Sequence, residues 1–355
     1  MLALRRSVTL GLFAVWLTAC QRAPMSEFAT VASPSAEPVA GPTVLGCVAG
    51  LRGVSTIAGG ETPGTDDGPG SEARFRLPYY LAYDRHANRL VVADRAGSRL
   101  CVLGPDGQVH TIAGPKPFAS LAGVAVNAAG DVLAADPLGN RIWKVSPTGH
   151  VEAFAGDGTP GSVDGAAMAA RFDLPEGLAT GPDDALYVTD LGSSRIRKVA
   201  PDGTTSTLAV GHPEQGRESF MQPFGITVDE AGTVYFTSAM SVVLKLTPQG
   251  VLSALTGWGL AFEDGPASRA KFSTPTGIAY DGGHLYVADL ANHRIRDVDL
   301  AARLVTTLAG DGQPGYLDAP ALKAQFRDPT GVAVGACGEI YVADQANYRI
   351  RRIGR

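Results

Sequence analysis

Between Gly277 and Asp299 the chain reads GIAYDGGHLYVADLANHRIRDVD, and its apolar residues come in two kinds of run. IAY and LYVA are apolar at nearly every position, the pattern of strands covered on both faces. RIRDV alternates, which puts one face against protein and the other toward the outside. Gly282-Gly283 separates the first two runs and suits a tight hairpin. With the VTTLAG run that follows, four strands are predicted: Ile278–Asp281, Leu285–Asp289, Arg294–Val298 and Val305–Gly310.

The pattern recurs along the chain. The second strand, ending in Asp, returns at Leu90–Asp94, Val132–Asp136, Leu186–Asp190 and Ile340–Asp344, with a degenerate copy, VYFTS, at Val234–Ser238. The copies stand about 42 to 55 residues apart, the length of a four-stranded propeller blade. Asp106-Gly107 and Asp202-Gly203 supply hairpin turns in sister copies. One such sheet cannot cover its own faces, whereas six stacked radially can, and they leave few open edges. The sixth copy stops after RIRRI, Arg349–Ile353, and lacks its fourth strand; the missing segment, GVSTIAG, stands at Gly53–Gly59. The expected fold is all-β, a six-bladed β-propeller closed by an N-terminal strand that completes the last blade.

These repeats resemble the NHL repeat, whose name-giving segment survives in the fifth copy as Asn292-His293-Arg294. The resemblance runs from about Gly53 to Arg355. The fourth copy departs from it, with Ser238 and Val243 where its sisters carry Asp and Arg. The resemblance implies a six-bladed propeller and leaves two classes of function open. One is a binding or scaffold module. The other is an enzyme, since the family includes peptidyl-amidoglycolate lyases and related propellers are lactonases or other hydrolases with a metal in the central channel. Here the inner strands read LAYD, VAVN, LATG, ITVD, IAYD and VAVG, without His. Asp84, Asn127, Asp229 and Asp281 end four of them, are expected at the turn on the opposite face, and are weak metal candidates. The reading leans away from an enzyme: no catalytic residue, metal or cofactor is assigned.

Composition narrows the picture further. The chain is 18% charged and 45% hydrophobic, carries 44 Gly and 24 Pro for turns, and has a net charge of −5, which offers no basic surface for nucleic acid. Its N-terminus is a separate unit. Arg5 and Arg6 precede an uncharged run, Ser7 to Ala19, too short to span a bilayer. Residues 1–19 are expected to be a signal peptide. Leu17-Thr18-Ala19-Cys20 looks like a bacterial lipobox with Cys20 as the lipid attachment site, and Gln21 after it is not the Asp that resembles an inner-membrane retention signal. Residues 20–46, rich in Ala, Ser and Pro, are then a lipidated tether, and 47–355 the propeller. The expected location is the bacterial cell envelope, most naturally the outer membrane, with the membrane bound through the N-terminal lipid.

Five copies place Arg five residues after the strand-ending Asp: Asp94/Arg99, Asp136/Arg141, Asp190/Arg195, Asp289/Arg294 and Asp344/Arg349. A feature repeated in blade after blade is architecture, so these are expected to be turn-locking ion pairs. The long loops GDGTPGSVDGAAMAARFDLP and GDGQPGYLDAPALKAQFRDP lack an EF-hand ligand pattern. They are expected to form Asp-stabilised turns and a short helical turn, with the pairs Ala73/Phe75, Ala170/Phe172, Ala270/Phe272 and Ala324/Phe326 plugging the blade junctions. The six His have no metal-ligand spacing, and no nucleophile elbow or P-loop is present. Cys101 lies inside a strand and reads as a buried thiol, while Cys47 and Cys337 both fall at the lower face and are expected to form a disulfide.

Recognition is expected where the frame repeats but one residue varies. The copies share a Pro-x-Gly entry into the inner strand, and x reads Tyr79, Ala122 (in a copy without the Pro), Glu176, Phe224, Thr276 and Thr330 around the ring. Tyr80 replaces the Gly of the first copy, and Met240 sits in an apolar turn of the fourth. Tyr79, Tyr80, Glu176, Phe224, Met240, Thr276 and Thr330 are therefore the candidate contacts for a peptide, glycan or envelope protein at the upper face, with mere plugging of the mouth as the alternative.

Overall fold

Every second strand of the repeat is buried along its length, from Leu186–Asp190 to Ile340–Asp344. That is what a sheet sandwiched between two others demands. The computed structural model describes Leu45 and residues 53–212 and 219–354. The lipobox, Cys20, the tether apart from Leu45, and Cys47 lie outside the described residues.

The chain is all-β with six antiparallel sheets of four strands around one axis, two of them extended by a short fifth strand. Blade five runs Pro275–Asp281, His284–Asp289, Arg294–Asp299 and Leu304–Ala309 from the axis outward, close to the sequence-based bounds. The innermost strand of each blade packs against that of the next, and the sixth against the first. Closure is as expected. Gly53–Gly59 pairs antiparallel with Arg349–Gly354, so the first strand of the chain is the outermost strand of the last blade. The loops that enter the inner strands and the turns between second and third strands share one face, called upper here.

Large side chains from the entry loops fill the junctions between blades. Ala73, Phe75, Ala170, Phe172, Ala270, Phe272, Ala324 and Phe326 are all fully buried. The short helical turns are present as Ala167–Ala169 and Ala321–Lys323.

The ion pairs differ from expectation. Asp94–Arg99 is present at 3.1 Å. The other four Asp select a different arginine or none. Asp190 pairs with Arg197 at 3.2 Å, Asp289 with Arg296 at 2.7 Å and Asp344 with Arg351 at 2.6 Å, seven residues on instead of five. Asp136 accepts from the indole of Trp143 at 3.1 Å. The pairs Asp136/Arg141, Asp190/Arg195, Asp289/Arg294 and Asp344/Arg349 are therefore corrected. The reason is register. Arg195 and Arg197 are two residues apart, so they lie on the same face of the third strand, but Arg197 sits deeper and meets the carboxylate from inside the blade. The nearer arginine turns outward over the loop. Arg294 donates to the carbonyls of Asn292 and Asp311, and Arg141 to that of Asp157. In blade one the deeper position is Cys101, so Arg99 takes both roles. In blade four the turn is one residue shorter, so Val242, not Val243, lies opposite Ser238, and Leu244 occupies the arginine's place.

Each deep arginine is fully buried and joins three parts of its blade. Arg296 bonds Asp289, the carbonyls of Glu263 and Lys271, and Asp264 of the entry loop. Asp264 in turn accepts from the backbone and hydroxyl of Thr307 on the outer strand. Asp164 and Thr207 repeat this in blade three, and Asp318 and Thr56 in blade six. The second-strand Asp holds the entry loop as well, accepting from the amide of Ser273 in blade five. The guanidinium lies over the junction phenylalanine, 4.7 Å from the ring centre of Phe272.

Leu45 is buried at the seam of blades six and one, with Ile57, Tyr341 and Ala333, and its carbonyl faces the Asn88 amide. Cys337 is disulfide-bonded, and its partner is not among the described residues. Cys101 is a free, buried thiol whose ionisation burial pushes up to about 12, so it is a poor nucleophile.

Removing one partner of a buried charge pair costs about 3–5 kcal/mol. Arg296→Ala is therefore expected to lower the urea unfolding free energy by that amount. Arg294→Ala, which loses two hydrogen bonds to carbonyls and the contact of its guanidinium with the Phe262 ring at 4.0 Å, but no buried charge pair, is expected to cost about 1–2 kcal/mol. Equal losses in the two variants would return the lock to Arg294.

Candidate functional site

The inner strands approach so closely that the entry Gly is obligatory. A Cβ on Gly225 would stand 2.3 Å from the carbonyl oxygen of Thr276, and one on Gly277 2.3 Å from that of Thr330. The carbonyls of Tyr79, Glu176, Phe224, Thr276 and Thr330 thus each abut the Gly of the preceding blade. Hydroxyls reinforce the ring. Thr237 Oγ1 donates to the Thr276 carbonyl at 2.6 Å, Thr276 to that of Thr330 at 3.0 Å, and Thr330 to that of Tyr79 at 2.8 Å. Thr276 and Thr330 are consequently buried parts of the ring and present no side chain to a ligand. This corrects their assignment as contacts.

Phe224 and Met240 are half-buried on the upper face, Met240 against the apolar cluster of Phe220, Phe236 and Trp258. Tyr79, Tyr80 and Glu176 come together, but as a buried group. Blade one contributes both tyrosines and blade three the carboxylate, which reaches past the short inner strand of blade two, Val124–Val126. Tyr80 has the place of a ring Gly because blade two offers an Ala122-Gly123 entry with no Pro, leaving room for a side chain.

The sequence reading missed the fourth member, Arg95. It follows Asp94 in the second turn of blade one, and its Nη1 donates to Glu176 Oε1 at 3.0 Å. Its guanidinium lies 4.5 Å from the ring centre of Tyr79. Tyr79 and Tyr80 meet edge to face at 4.9 Å. Burial, and then the Glu176 charge, holds the Tyr79 hydroxyl protonated well above its usual range. Tyr80 Oη is buried with no hydrogen-bond partner among the described residues. The signal that could have exposed Arg95 is its singularity: the residue after the strand-ending Asp or Ser is Pro137, Leu191, Ala239, Leu290 or Gln345 in the other blades.

The lower ends of the inner strands are committed to other work. Asp84 accepts from the amides of His86 and Ala87 and pairs with Arg89. Asp229 accepts from Ala231, Thr233 and Tyr235, and Asn127 from the Asp131 amide. Asp281 faces Arg85. Among the described residues no three His, Cys, Asp or Glu converge to hold a metal.

An NHL repeat model matches residues 272–296 and 326–353. The chain is 26% identical to human NHL repeat-containing protein 2 over 78% of its own length and 46% of the relative's. It spans less than half the length of the curated relatives it matches first. Among solved structures, it superposes on an auxiliary nutrient binding protein from Bacteroides thetaiotaomicron with a TM-score of 0.69 at 16% identity, covering 85% of this chain and 76% of that one. A gluconolactonase from Xanthomonas campestris gives a TM-score of 0.58 at 15% identity, covering 91% and 98%. Such likenesses establish the fold alone.

An unpaired buried hydroxyl costs about 1–3 kcal/mol. Tyr80→Phe is therefore expected to leave the melting temperature unchanged or raise it. A drop of several degrees would show that the hydroxyl has a structural partner.

Proposed function

We propose that this chain, an NHL-repeat protein whose six blades close into a propeller, is a rigid binding module that takes a peptide, glycan or protein partner at its upper mouth. One observation carries the reading. A buried carboxylate, a part-exposed guanidinium and an unpartnered hydroxyl converge at positions that the repeat leaves free. The half-buried Phe224 and Met240 add apolar surface on the same upper face. The likeness to an auxiliary nutrient binding protein agrees with such a role.

Tyr79 and Glu176 are buried, so truncating them to Ala would disturb packing as well as contacts. Gentler variants are needed. The soluble body is screened on peptide and glycan arrays. Phe224→Ala and Glu176→Gln are expected to weaken each ligand found by tenfold or more, and Arg85→Ala on the lower face to leave it unchanged. Ligands that survive both upper-face changes and are lost with Arg85→Ala would place binding on the other face.

The same proposal extends to location: Cys20 carries lipid and tethers the module to the cell envelope, at the outer membrane where the cell has one. Several acyl chains anchor stably where one would be marginal. Cys20→Ser is expected to move the protein from the membrane fraction to the soluble one, and continued sedimentation with membranes would refute the anchor.

A further inference from the structure

Arg95 sits at the upper mouth like a ligand. Its side chain is 21% exposed while its partner Glu176 is 3% exposed. It comes from a turn whose next residue, Ala96, is exposed; its amide donates to the Leu77 carbonyl and its own carbonyl accepts from the Ser98 amide, so the backbone is held while the side chain is not tied to the blade. The blade lock does not use its side chain: Asp94 is satisfied by Arg99 and by the amides of Arg76 and Leu77. The opposite half of the pair, Glu176, is equally free of ring duty, since the ring uses its backbone carbonyl, which accepts from the Gly123 amide.

What surrounds the guanidinium is a receptor for a cation. Glu176 supplies the charge, the Tyr79 ring a π face, and Tyr80 Oη an oxygen able to accept one more N–H. In the resting chain that oxygen receives nothing, so Arg95 fills the receptor incompletely. The net charge of −5 favours the approach of a basic partner.

We propose that the upper mouth recognises an arginine side chain of a partner peptide, which displaces Arg95 from Glu176 and Tyr79 as the Arg95 side chain rotates outward over its hydrogen-bonded turn. This rests on the upper-mouth binding reading and names the group that is read. Arg95 is then a built-in competitor. A group on a short tether acts at an effective concentration on the order of millimolar, so a free arginine binds weakly until Arg95 is removed.

The probe is N-acetyl-arginine amide, titrated by calorimetry and by NMR against the soluble body. Wild type is expected to show weak, saturable binding, and Arg95→Ala at least tenfold tighter binding. Arg95→Ala/Glu176→Gln is expected to lose that gain, and the neutral citrulline analogue to bind to none of them. Arg95→Lys, which keeps a cation of different reach and shape, should lie between wild type and Arg95→Ala, and it serves if Arg95→Ala does not fold. Binding by Arg95→Ala no tighter than wild type, equal binding of citrulline, or no wild-type occupancy at roughly 100 mM probe, well above the effective concentration of the tethered group, would overturn the proposal. A lysine probe that outcompetes arginine would overturn the assignment to guanidinium. The two readings fail separately. Array ligands lost with Phe224→Ala but untouched by Arg95→Ala and by arginine would leave the binding module standing and sink the arginine receptor. Displacement of Arg95 by the probe, with no ligand on either array, would do the reverse.

Discussion

The deep arginine inside a blade is the interaction on which the rest of this propeller depends. A four-stranded blade is held along its strands by the ladder, but nothing in the ladder fixes the loop that arrives from the neighbouring blade. Arg197, Arg296 and Arg351 do this, each joining a second-strand carboxylate, two loop carbonyls and a loop carboxylate that also grips the outer strand. A guanidinium suits the position because its planar fork carries five donors and keeps its charge when buried. Blades two and four have a Trp and a Leu there and short entry loops. Where there is no long loop to hold, no arginine lock is present; blade one, with a long loop and Cys101 at the deep position, is locked by Arg99 instead.

The fold was legible because the repeat supplies its own controls. Six copies of one strand pattern, and a last copy missing the strand that stands unclaimed at Gly53–Gly59, leave one closed arrangement. The ion pairs were misread for a reason the strands make plain. Spacing along the sequence favoured Arg294, the more widely repeated arginine, while the RIR motif offers a second one on the same face, and depth in the sheet decides between them. The contact residues show a related limit. A position that varies within a repeated frame is free of one duty, that of its side chain in the repeat. It can still be buried, as Tyr79 and Glu176 are, or acquire a new duty, as the Thr276 and Thr330 hydroxyls have. Arg95 lay outside the frame being compared, so its meeting with Glu176, 81 residues away, required the ring to be closed.

The seam across blade two is where the ring's symmetry yields. Elsewhere a Gly meets the next blade's carbonyl and no side chain fits between. At blade one the Gly is Tyr80, and the neighbouring inner strand is only Val124–Val126. The departures gather at this point: a missing Pro, a shortened strand, a tyrosine in place of Gly, and a charge pair that spans from blade one to blade three. A closed ring tolerates such local asymmetry because the remaining junctions keep their close contacts.

The N-terminal strand has a temporal consequence. Gly53–Gly59 emerges well before its partner, Arg349–Gly354, whether the chain is leaving a ribosome or crossing a membrane. About 290 residues separate them. At synthesis rates of about 5–20 residues per second, the first strand waits on the order of tens of seconds with its edge unpaired. Until that partner arrives the ring is an open arc, and any completed blade offers the waiting strand an outer edge on which to dock wrongly. Val54 and Ile57 become buried only in the finished ring, so the interval before the last strand appears is the period in which this chain has most need of a chaperone.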